Sequence, residues 1–301
     1  MSVTVGPSVP ARAGIMLEMI KFQHTVFALP FALTGLVLAA RASPGSARWV
    51  GVPVPSARVA VLALACCVAA RTAAMAYNRW ADAAIDAANP RTADRAIPAG
   101  LLSGRSVLLV ALASSAAFVG FAALLNPLAA ALSPVALAVL LGYSYCKRFT
   151  AACHFVLGLA LAIAPIGAWV AVRAEIAATP LLLGAAVLLW TAGFDIIYAC
   201  QDAGFDREAG LFSMPARMGV GPALWISRLC HVVAVAAWVA LAGVAGLGWP
   251  YLAGVALVAA LLGLEHWLVR GGDLSRIDAA FFTVNSWVGV AMLAAVVAGV
   301  V

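Results

Sequence analysis

Nine long apolar runs constrain the fold of this chain more than any other feature of its sequence. They are rich in Ala and Leu, and each approaches or exceeds the roughly 20 residues that a helix needs to cross a bilayer. Because lipid offers no hydrogen-bond partners, a spanning segment is a helix or a strand of a closed barrel. The alternation over ~10-residue segments that is typical of barrel strands is not present. The runs lie at residues 15–40, 57–77, 106–125, 128–145, 152–172, 180–199, 222–245, 250–269 and 279–301.

Composition agrees with a membrane protein. Of the 301 residues, 65% are hydrophobic and 10% are charged, whereas a soluble domain is about half apolar and about a quarter charged. The six cysteines lie mostly within the runs and form no CxxC pair, so we interpret them as small apolar residues. The first run follows a polar leader and is too long for a signal peptide, so we expect none that is cleaved. The sequence predicts an all-α integral membrane bundle of nine transmembrane helices, forming a single domain over residues 1–301.

The distribution of loop bases predicts the orientation. Nine spans place the loops alternately on two sides, and far more bases fall on the side of the N-terminus. Those bases are Arg12, Arg79, Arg91, Arg95, Arg105, Lys147, Arg148, Arg207, Arg217, Arg270 and Arg276. The opposite side has Arg41, Arg48, Arg58 and Arg173. The positive-inside rule therefore predicts an inner-membrane protein with a cytoplasmic N-terminus. The net charge of +6 reflects this bias and indicates no nucleic-acid partner, because the bases are spread over short loops.

A first acidic segment, residues 78–100 (NRWADAAIDAANPRTADRAIPAG), continues the second run out of the membrane. Asn78, Asp82 and Asp86 are spaced by four residues, so a helix aligns them on one face. Arg71, seven residues before Asn78, falls on nearly the same face. A proline after the second aspartate predicts the end of the helix, and a loop with several arginines follows. A polar stripe thus rises from a membrane span.

A second acidic segment, residues 194–219 (FDIIYACQDAGFDREAGLFSMPARMG), follows the sixth run. Its Asp195, Tyr198, Asp202 and Asp206 have offsets of 0, 3, 7 and 11, which trace one narrow helix face. The aspartate pairs of the two segments are related by a shift of 120 residues, and a loop with Pro and Arg follows each pair. The sequence predicts an internal repeat of four helices, a ninth helix added to it, and two Asp-rich motifs on the same cytoplasmic side.

The chemistry of the two segments indicates a diphosphate site. Converging carboxylates repel one another, and cations resolve that repulsion. Carboxylates at i and i+4 suit a hard ion such as Mg²⁺, which prefers a few carboxylates, retained waters and phosphate oxygens. Nearby bases would be wrong for a metal alone but suit a metal–diphosphate complex. In a lipid-lined bundle, this predicts an isoprenoid diphosphate with its head at the acids and its tail in lipid. Other acids, such as Asp94 and Glu208, we interpret as solvated loop charges.

These residues resemble the UbiA-type membrane prenyltransferases. That family has an NxxxDxxxD motif after its second span, present here as NRWADAAID, and a DxxYAxxDxxxD motif after its sixth, present as DIIYACQDAGFD. The segments RTADRAIPAG, YSYCKRFT, KFQHTVFALPFALTG and FFTVNSWVGV are also similar, so the resemblance covers nearly the whole chain. Within the family, the chain is most similar to the 4-hydroxybenzoate polyprenyltransferase-like group, which serves quinone synthesis.

The resemblance implies Mg²⁺-dependent transfer of a polyprenyl group from polyprenyl diphosphate to an aromatic acid of 4-hydroxybenzoate type. Two Mg²⁺ ions would make the diphosphate a better leaving group, and an allylic cation would be attacked by the electron-rich ring where water is excluded. The implied metal ligands are Asn78, Asp82, Asp86, Asp202 and Asp206. The bases that would stabilise the leaving diphosphate are Arg91, Arg95, Lys147 and Arg148, of which Lys147 and Arg148 are also predicted to be catalytic.

Further candidates lie deeper in the bundle. Asp195 is about two helical turns below Asp202, where a carboxylate is costly and functional by default. We interpret it as catalytic, accepting a hydrogen bond or a proton from the acceptor hydroxyl; the alternative is a structural ion pair with a base such as Arg71. Tyr198 lines the cation path through its ring face or is an interfacial aromatic. The candidates for binding the acceptor carboxylate are Arg71, Lys21 and His24, although a snorkelling lysine and a structural histidine are equally compatible with the last two.

Two functions other than 4-hydroxybenzoate prenylation are compatible with the sequence. Within the enzyme class, the acceptor is 1,4-dihydroxy-6-naphthoate, or a related naphthoate, in menaquinone synthesis by the futalosine route; haem and chlorophyllide are further acceptors. In a different class, a cation-coupled transporter also uses acids in helices, but it places them near the membrane midplane on broken helices. Here the paired acids lie at span ends, beside bases and on one side, which favours the enzyme.

Overall fold

The computed structural model describes residues 9–19 and 27–301, with the backbone alone for residues 9–13. The chain forms a bundle of helices joined by short loops. The helices are α1 Val9–Met19, α2 Leu29–Arg41, α3 Ala57–Ala81, α4 Ala83–Ala88, α5 Gly104–Leu125, α6 Pro127–Cys146, α7 Cys153–Arg173, α8 Ala178–Ala199, α9 Ala203–Glu208, α10 Met214–Met218, α11 Val220–Ala245, α12 Trp249–Leu268 and α13 Asn285–Val300.

Other regular elements are short. The 3-10 helices Cys200–Asp202 and Arg270–Gly272 follow α8 and α12, and the π-helix Ala279–Val284 leads into α13. Strands β1 (Ala47–Trp49) and β2 (Val52–Val54) form a small antiparallel hairpin between α2 and α3, in which Trp49 pairs with Val52.

Eight helical segments in the described part of the chain are long and apolar enough to cross a membrane, so the protein is a multi-pass membrane protein. Eight of the predicted runs agree within four residues at each end with helices of the structure. These are α3, α5 to α8, α11, α12, and the π-helix together with α13. The prediction of an all-α membrane bundle is confirmed. The remaining predicted run, 15–40, includes residues outside the described part; α2 forms its C-terminal portion. The number nine therefore stays a prediction.

Polar side chains at helix starts explain where two of the spans begin. Ser103 Oγ accepts a hydrogen bond from the backbone N–H of Ser106 at the start of α5, and Asn126 Oδ1 accepts one from Ala129 at the start of α6. Each satisfies a backbone donor that has no partner within the helix. Asn126 also donates to the carbonyl of Val170, at 2.8 Å, which ties the start of α6 to the end of α7.

The two ends of the bundle are closed by different interactions. At one end, Arg41 donates to the carbonyl oxygens of Ala245 and Gly246, at 2.9 and 2.8 Å, and Arg173 donates to that of Ala42, at 2.8 Å. These bonds join the C-terminal ends of α2, α7 and α11. The acidic segments lie at the other end, where α3 and α8 finish. The loops are thus sorted onto two sides, as alternating spans require.

Helix α8 runs through the centre of the bundle and packs most closely against α7 and α11. Ser227 on α11 donates to the carbonyl of Gly193, at 2.7 Å, and His231 donates through Nε2 to the carbonyl of Trp190, at 3.1 Å. A Cβ atom at Gly193 would lie 2.3 Å from the His231 ring, so only glycine permits this approach. These contacts hold the turn of α8 that presents Asp195.

A buried polar network continues on the far side of α8. Trp190 Nε1 donates to Asn285 Oδ1, at 2.7 Å, and Asn285 Nδ2 donates to Glu265 Oε1, at 2.8 Å. His231 Nδ1 lies 3.0 Å from His266 Nε2. Because buried polar groups are costly unless they are hydrogen-bonded, this network specifies how α8, α11, α12 and α13 pack together.

Candidate functional site

The first acidic segment begins where α3 ends. Helix α3 runs to Ala81, and Asp82 (φ −93°, ψ 5°) links it to the six-residue helix α4. The amide of Asp82 donates to the carbonyl of Asn78, at 2.9 Å, and the amide of Asp86 donates to that of Asp82, at 2.8 Å. Helical spacing is kept through the junction, so the three polar residues follow one another by single turns as predicted. The helix ends at Asn89, also as predicted.

The second acidic segment repeats this backbone geometry with one difference. Asp202 (φ −96°, ψ 3°) has nearly the conformation of Asp82 and likewise precedes a six-residue helix, α9. However, the 3-10 helix Cys200–Asp202 separates α8 from α9. The second segment therefore does not continue α8 as a regular α-helix, because a 3-10 turn has fewer residues per turn than an α-helix and changes the register. That Asp195, Tyr198, Asp202 and Asp206 share one face stays a prediction.

Arginine side chains bind both aspartates of the first segment. Arg148 Nη2 lies 3.2 Å from Asp82 Oδ1, and Arg95 Nη1 lies 2.6 Å from Asp86 Oδ1. Asn78 Nδ2 donates to the other oxygen of Asp82, at 2.8 Å. Cationic and amide donors thus contact both carboxylates that were predicted to hold metal.

Residues of the first segment also bind the second. Arg91 contacts Asp202 through two parallel bonds, Nε to Oδ1 at 2.9 Å and Nη2 to Oδ2 at 2.5 Å. Asn89 Nδ2 donates to Asp202 Oδ1 at 3.1 Å, and its own Oδ1 accepts from the amide of Arg91 at 3.0 Å. Arg91 Nη1 also lies 3.2 Å from the hydroxyl of Tyr198. Paired, charge-assisted bonds of this kind are among the stronger polar interactions in proteins, and they bring the two segments together as the sequence predicted.

Lys147 lies between the two segments. Its charge acts on Asp82, Asp202 and Asp206, and its backbone carbonyl accepts a hydrogen bond from Phe212 in the second segment, at 2.7 Å. Asp206 is 4% exposed and makes no ion pair with any described residue. The position of Lys147 therefore suits a base that serves both segments.

The carboxylates of Asp82 and Asp86 are buried, and the surrounding residues satisfy them only in part. Burial raises the pKa of Asp82 above its ordinary value, although Lys147 and Arg148 act to lower it. The Oδ2 atom of Asp86 is buried and has no hydrogen-bond partner among the described residues. A bound cation would favour the ionised form of the first carboxylate and provide a partner for the second. The donor set of buried carboxylate oxygens therefore fits Mg²⁺.

No group of three His, Cys, Asp or Glu side chains in the described part of the chain is close enough to hold an ion unaided. Mg²⁺ is usually bound through one or two carboxylates, while waters and substrate phosphates supply the other ligands. Each acidic segment contains two such carboxylates.

An apolar cavity of about 390 Å³ lies between α2, α3, α5, α6 and α7, below the first segment. Its wall is almost entirely aliphatic and aromatic, and Arg71 and Tyr143 are its main polar residues. Val135 lines the cavity and is 62% exposed, so the cavity reaches the apolar outer surface of the bundle. Such a space suits a hydrocarbon chain.

Asp195 is held by a histidine. His154 Nδ1 lies 2.7 Å from Asp195 Oδ2, and His154 Nε2 accepts a hydrogen bond from the backbone N–H of Met214, at 3.2 Å. Asp195 thus contacts a base, as the structural alternative supposed, but that base is His154 and not Arg71. Tyr143 lies near enough to Asp195, Asp82 and Arg71 for their charges to act on it.

The remaining predicted residues have different outcomes. Tyr198 lies at the polar end, with Arg91 5.3 Å above its ring and the Phe281 ring centroid 4.1 Å away at a tilt of 30°. Arg71 lies in the cavity wall, below the carboxylates. Lys21 and His24 lie outside the residues that the structure describes, so their assignment to the acceptor carboxylate stays a prediction.

Two residues of the site were missed in the sequence. Asn89 gave a weak signal, because a residue before proline is expected only to end a helix. His154 lies near the start of an apolar run, and a histidine at such a position is usually interpreted as a buried core residue. Its position a few residues after the basic KRFT segment was the available signal, since it places the imidazole at the polar end of its helix.

Comparison with known proteins identifies the family. The model of the UbiA prenyltransferase family matches residues 28–287. A 4-hydroxybenzoate octaprenyltransferase from Cupriavidus necator is 34% identical over 229 residues, which cover 74% of this chain and 78% of that protein. The apo structure of a UbiA homolog from Aeropyrum pernix K1 has a TM-score of 0.81 and 36% identity, covering 91% of this chain and 97% of that one.

A more distant structure shares the fold. The UbiA homolog from Archaeoglobus fulgidus bound to GPP and Mg²⁺ has a TM-score of 0.67 at 20% identity, and the match covers 94% of this chain and 99% of that one. Together the comparisons confirm the resemblance, the helical membrane fold and the enzyme class, prenyltransferase, and they favour an enzyme over a transporter. The chain belongs to the UbiA prenyltransferase family.

Proposed function

We propose that this prenyltransferase moves a polyprenyl group from polyprenyl diphosphate to an aromatic acid of 4-hydroxybenzoate type, with Mg²⁺, in quinone biosynthesis. The observation that carries the proposal is the position of a charged head site over an apolar cavity. Four aspartates and their bases close one end of the bundle, and a cavity of about 390 Å³ lies below them. A prenyl diphosphate has the same division into charged head and apolar tail.

The acidic segments would hold the metal and the diphosphate head. The proposed ligands are Asn78, Asp82, Asp86, Asp202 and Asp206, and two ions correspond to the two aspartate pairs. Bound Mg²⁺ would neutralise the diphosphate and make it a better leaving group. The UbiA homolog from Archaeoglobus fulgidus that is bound to GPP and Mg²⁺ supports this choice of ion and donor. The arginines that now bind Asp82, Asp86 and Asp202 would then contact phosphate oxygens.

Basic and aromatic residues would act during transfer. Lys147 and Arg148 stabilise the negative charge that grows on the departing diphosphate, and Arg91 and Arg95 contribute to the same field. Tyr198 presents its ring beside the path of the allylic cation. The apolar helices exclude water, which would otherwise trap the cation.

The acceptor would enter beside the deep polar residues. Asp195 accepts a hydrogen bond from the ring hydroxyl and makes the ring more nucleophilic, while Arg71 binds the carboxylate, with Lys21 and His24 as further candidates. The names of several relatives, among them the 4-hydroxybenzoate octaprenyltransferase of Cupriavidus necator, support a 4-hydroxybenzoate type of acceptor. We further propose that residues 1–301 form one domain in the inner membrane, with the N-terminus and acidic segments in the cytoplasm.

The proposal is tested by direct product detection. The purified protein in liposomes is incubated with Mg²⁺, a polyprenyl diphosphate and, in separate reactions, 4-hydroxybenzoate or 1,4-dihydroxy-6-naphthoate. Mass spectrometry should find a prenylated ring with 4-hydroxybenzoate, and EDTA should abolish it. The exposed acid Asp94 provides a matched control: Asp94→Asn should retain activity, whereas Asp202→Asn should lose it.

Other outcomes change the proposal in specific ways. Product from the naphthoate alone would replace the acceptor and leave the diphosphate site intact. Mg²⁺-dependent binding of diphosphate without product from either ring would overturn the acceptor class. Failure to bind diphosphate at all would contradict the role of the acidic segments.

A further inference from the structure

The hydrogen bonds around His154 are directed. A backbone N–H can only donate, so His154 Nε2 accepts from Met214 and carries no proton. The ring proton of the neutral imidazole is then on Nδ1, where it is donated to Asp195 Oδ2 at 2.7 Å. The tautomer is thus determined by the partner on the other ring nitrogen. The same chain of bonds requires that the Asp195 oxygen be an acceptor.

The two partners of this hydrogen bond differ in burial. The His154 side chain is 3% exposed and that of Asp195 is 24% exposed. One carboxylate oxygen is therefore fixed by a buried ring, and Oδ1 makes no hydrogen bond to any described residue. A fixed carboxylate with one open oxygen is a suitable acceptor for a hydroxyl group.

The histidine also connects Asp195 to the second acidic segment. Met214 follows the loop after α9, in which the amide of Leu211 donates to the carbonyl of Asp206, at 2.7 Å. Cys153, the neighbour of His154, contacts the carbonyl of Phe212 in the same loop, at 3.4 Å. The loop that follows Asp206 therefore supplies the backbone donor that contacts His154, and these bonds of the loop do not involve the Asp206 carboxylate.

We infer that His154 is a positioning residue for aromatic acceptors: Nδ1–H holds Asp195 Oδ2 so that Oδ1 receives the hydrogen bond of the acceptor hydroxyl. The inference rests on the proposed function, since it assumes a ring acceptor that carries a hydroxyl group. It assigns His154 to the acceptor step and separates it from binding of the diphosphate head.

Two substitutions distinguish the two ring nitrogens. Asparagine places an amide N–H near the position of Nδ1 and preserves the bond to Asp195, whereas glutamine places its amide near Nε2 and does not. With geranyl diphosphate saturating, His154→Leu and His154→Gln should lower kcat/KM for 4-hydroxybenzoate by about 10²-fold, the effect of misplacing a reacting group by about 1 Å. His154→Asn should restore most of that loss.

Diphosphate binding is the second measurement. The Mg²⁺-dependent Kd for geranyl diphosphate should be unchanged in all three variants, and Asp195→Ala combined with His154→Leu should be no worse than Asp195→Ala alone. Equal activity of His154→Leu and His154→Asn, weaker diphosphate binding in both, or additive effects in the double variant would each overturn the inference. If the unsubstituted protein binds geranyl diphosphate but prenylates no hydroxylated ring, the proposed function itself fails and the inference fails with it. An active protein whose variants depart from the expected order contradicts the role of His154 alone.

Discussion

The two acidic segments share their backbone geometry but differ in their charge partners. Asp82 and Asp202 have φ/ψ values within a few degrees of each other, and each precedes a helix of six residues. The helices α4 and α9 begin 120 residues apart, at Ala83 and Ala203. Two local sequences with the same spacing of aspartates thus form the same turn at the ends of two membrane helices.

The arginines that bind the aspartates, in contrast, come from the first segment and from Arg148 after α6, and none comes from the second segment among the described residues. Arg95 binds Asp86 within the first segment, and Arg91 reaches across to Asp202. The arginines of the second segment bind no aspartate in the described part of the chain: Arg207 donates to a backbone carbonyl, and Arg217 lies over the ring of Phe212, at 3.7 Å. Both segments thus supply carboxylates, whereas only the first supplies arginines that bind them.

The largest expected effect is the loss of a carboxylate from either segment. We expect Asp82→Ala and Asp202→Ala each to lower kcat by about 10³-fold, since each removes a proposed metal ligand at the developing charge. Steady-state product formation at saturating Mg²⁺ measures this, and Asp94→Ala is the control for an exposed acid in the same loop. If one of the two variants kept its activity, the segments would not be equivalent in holding metal, and the geometric repeat would have no functional meaning.

A smaller effect should come from Arg91, which joins the segments. Arg91→Gln removes both the charge and the paired bonds to Asp202, and we expect KM for the diphosphate to rise by about 10- to 30-fold, the loss of one charge-assisted contact of about 1.5–2 kcal/mol. Arg91→Lys keeps the charge but loses the planar geometry, so its KM for the diphosphate should lie between those of the wild type and Arg91→Gln. Measured KM values that are equal for Lys and wild type would show that charge alone matters at this position.

Substitution of Asn89 should raise KM for the diphosphate less than substitution of Arg91 does. It donates to Asp202 and accepts from the amide of Arg91, and the second segment has Ala209 at the position related by 120 residues. Asn89→Ala therefore makes the segments more alike. We expect KM for the diphosphate to rise by about fivefold, equivalent to one neutral hydrogen bond of about 1 kcal/mol. A KM unchanged within error would mean that Arg91 is positioned without it.

Much of the fold follows from local properties of the sequence. The helices match the apolar runs because length and hydropathy alone decide whether a segment can span lipid. The spacing of Asn78, Asp82 and Asp86 was interpretable for a similar reason, since i to i+4 contacts depend on helical geometry only. Helical spacing did not predict the 3-10 turn at Cys200–Asp202, because no residue in that stretch is typical of a break in the α-helix.

The partners across the bundle were not predictable in the same way. Which arginine binds which aspartate depends on the path of the loops, and the crossing of Arg91 to Asp202 joins positions 111 residues apart. His154 and Asp195 meet because α7 and α8 pack together, and nothing in the spacing of the two residues reports that contact. Sequence patterns thus identified the residue types of the site, whereas tertiary packing decided their pairing.

The smallest expected effect tests the asymmetry most directly. Arg217 is exposed like Arg91 and belongs to the second segment, but its guanidinium lies on Phe212 and contacts no carboxylate. We expect Arg217→Gln to leave kcat and KM for the diphosphate within about twofold of wild type, as for most surface substitutions. Both constants should be measured beside Arg91→Gln in the same liposomes, because a pair of exposed arginines controls for the loss of surface charge. A rise in KM as large as that of Arg91→Gln would mean that Arg217 leaves the Phe212 ring when diphosphate binds. The second segment would then supply a cationic contact to the diphosphate as well, and the two segments would not differ in this respect.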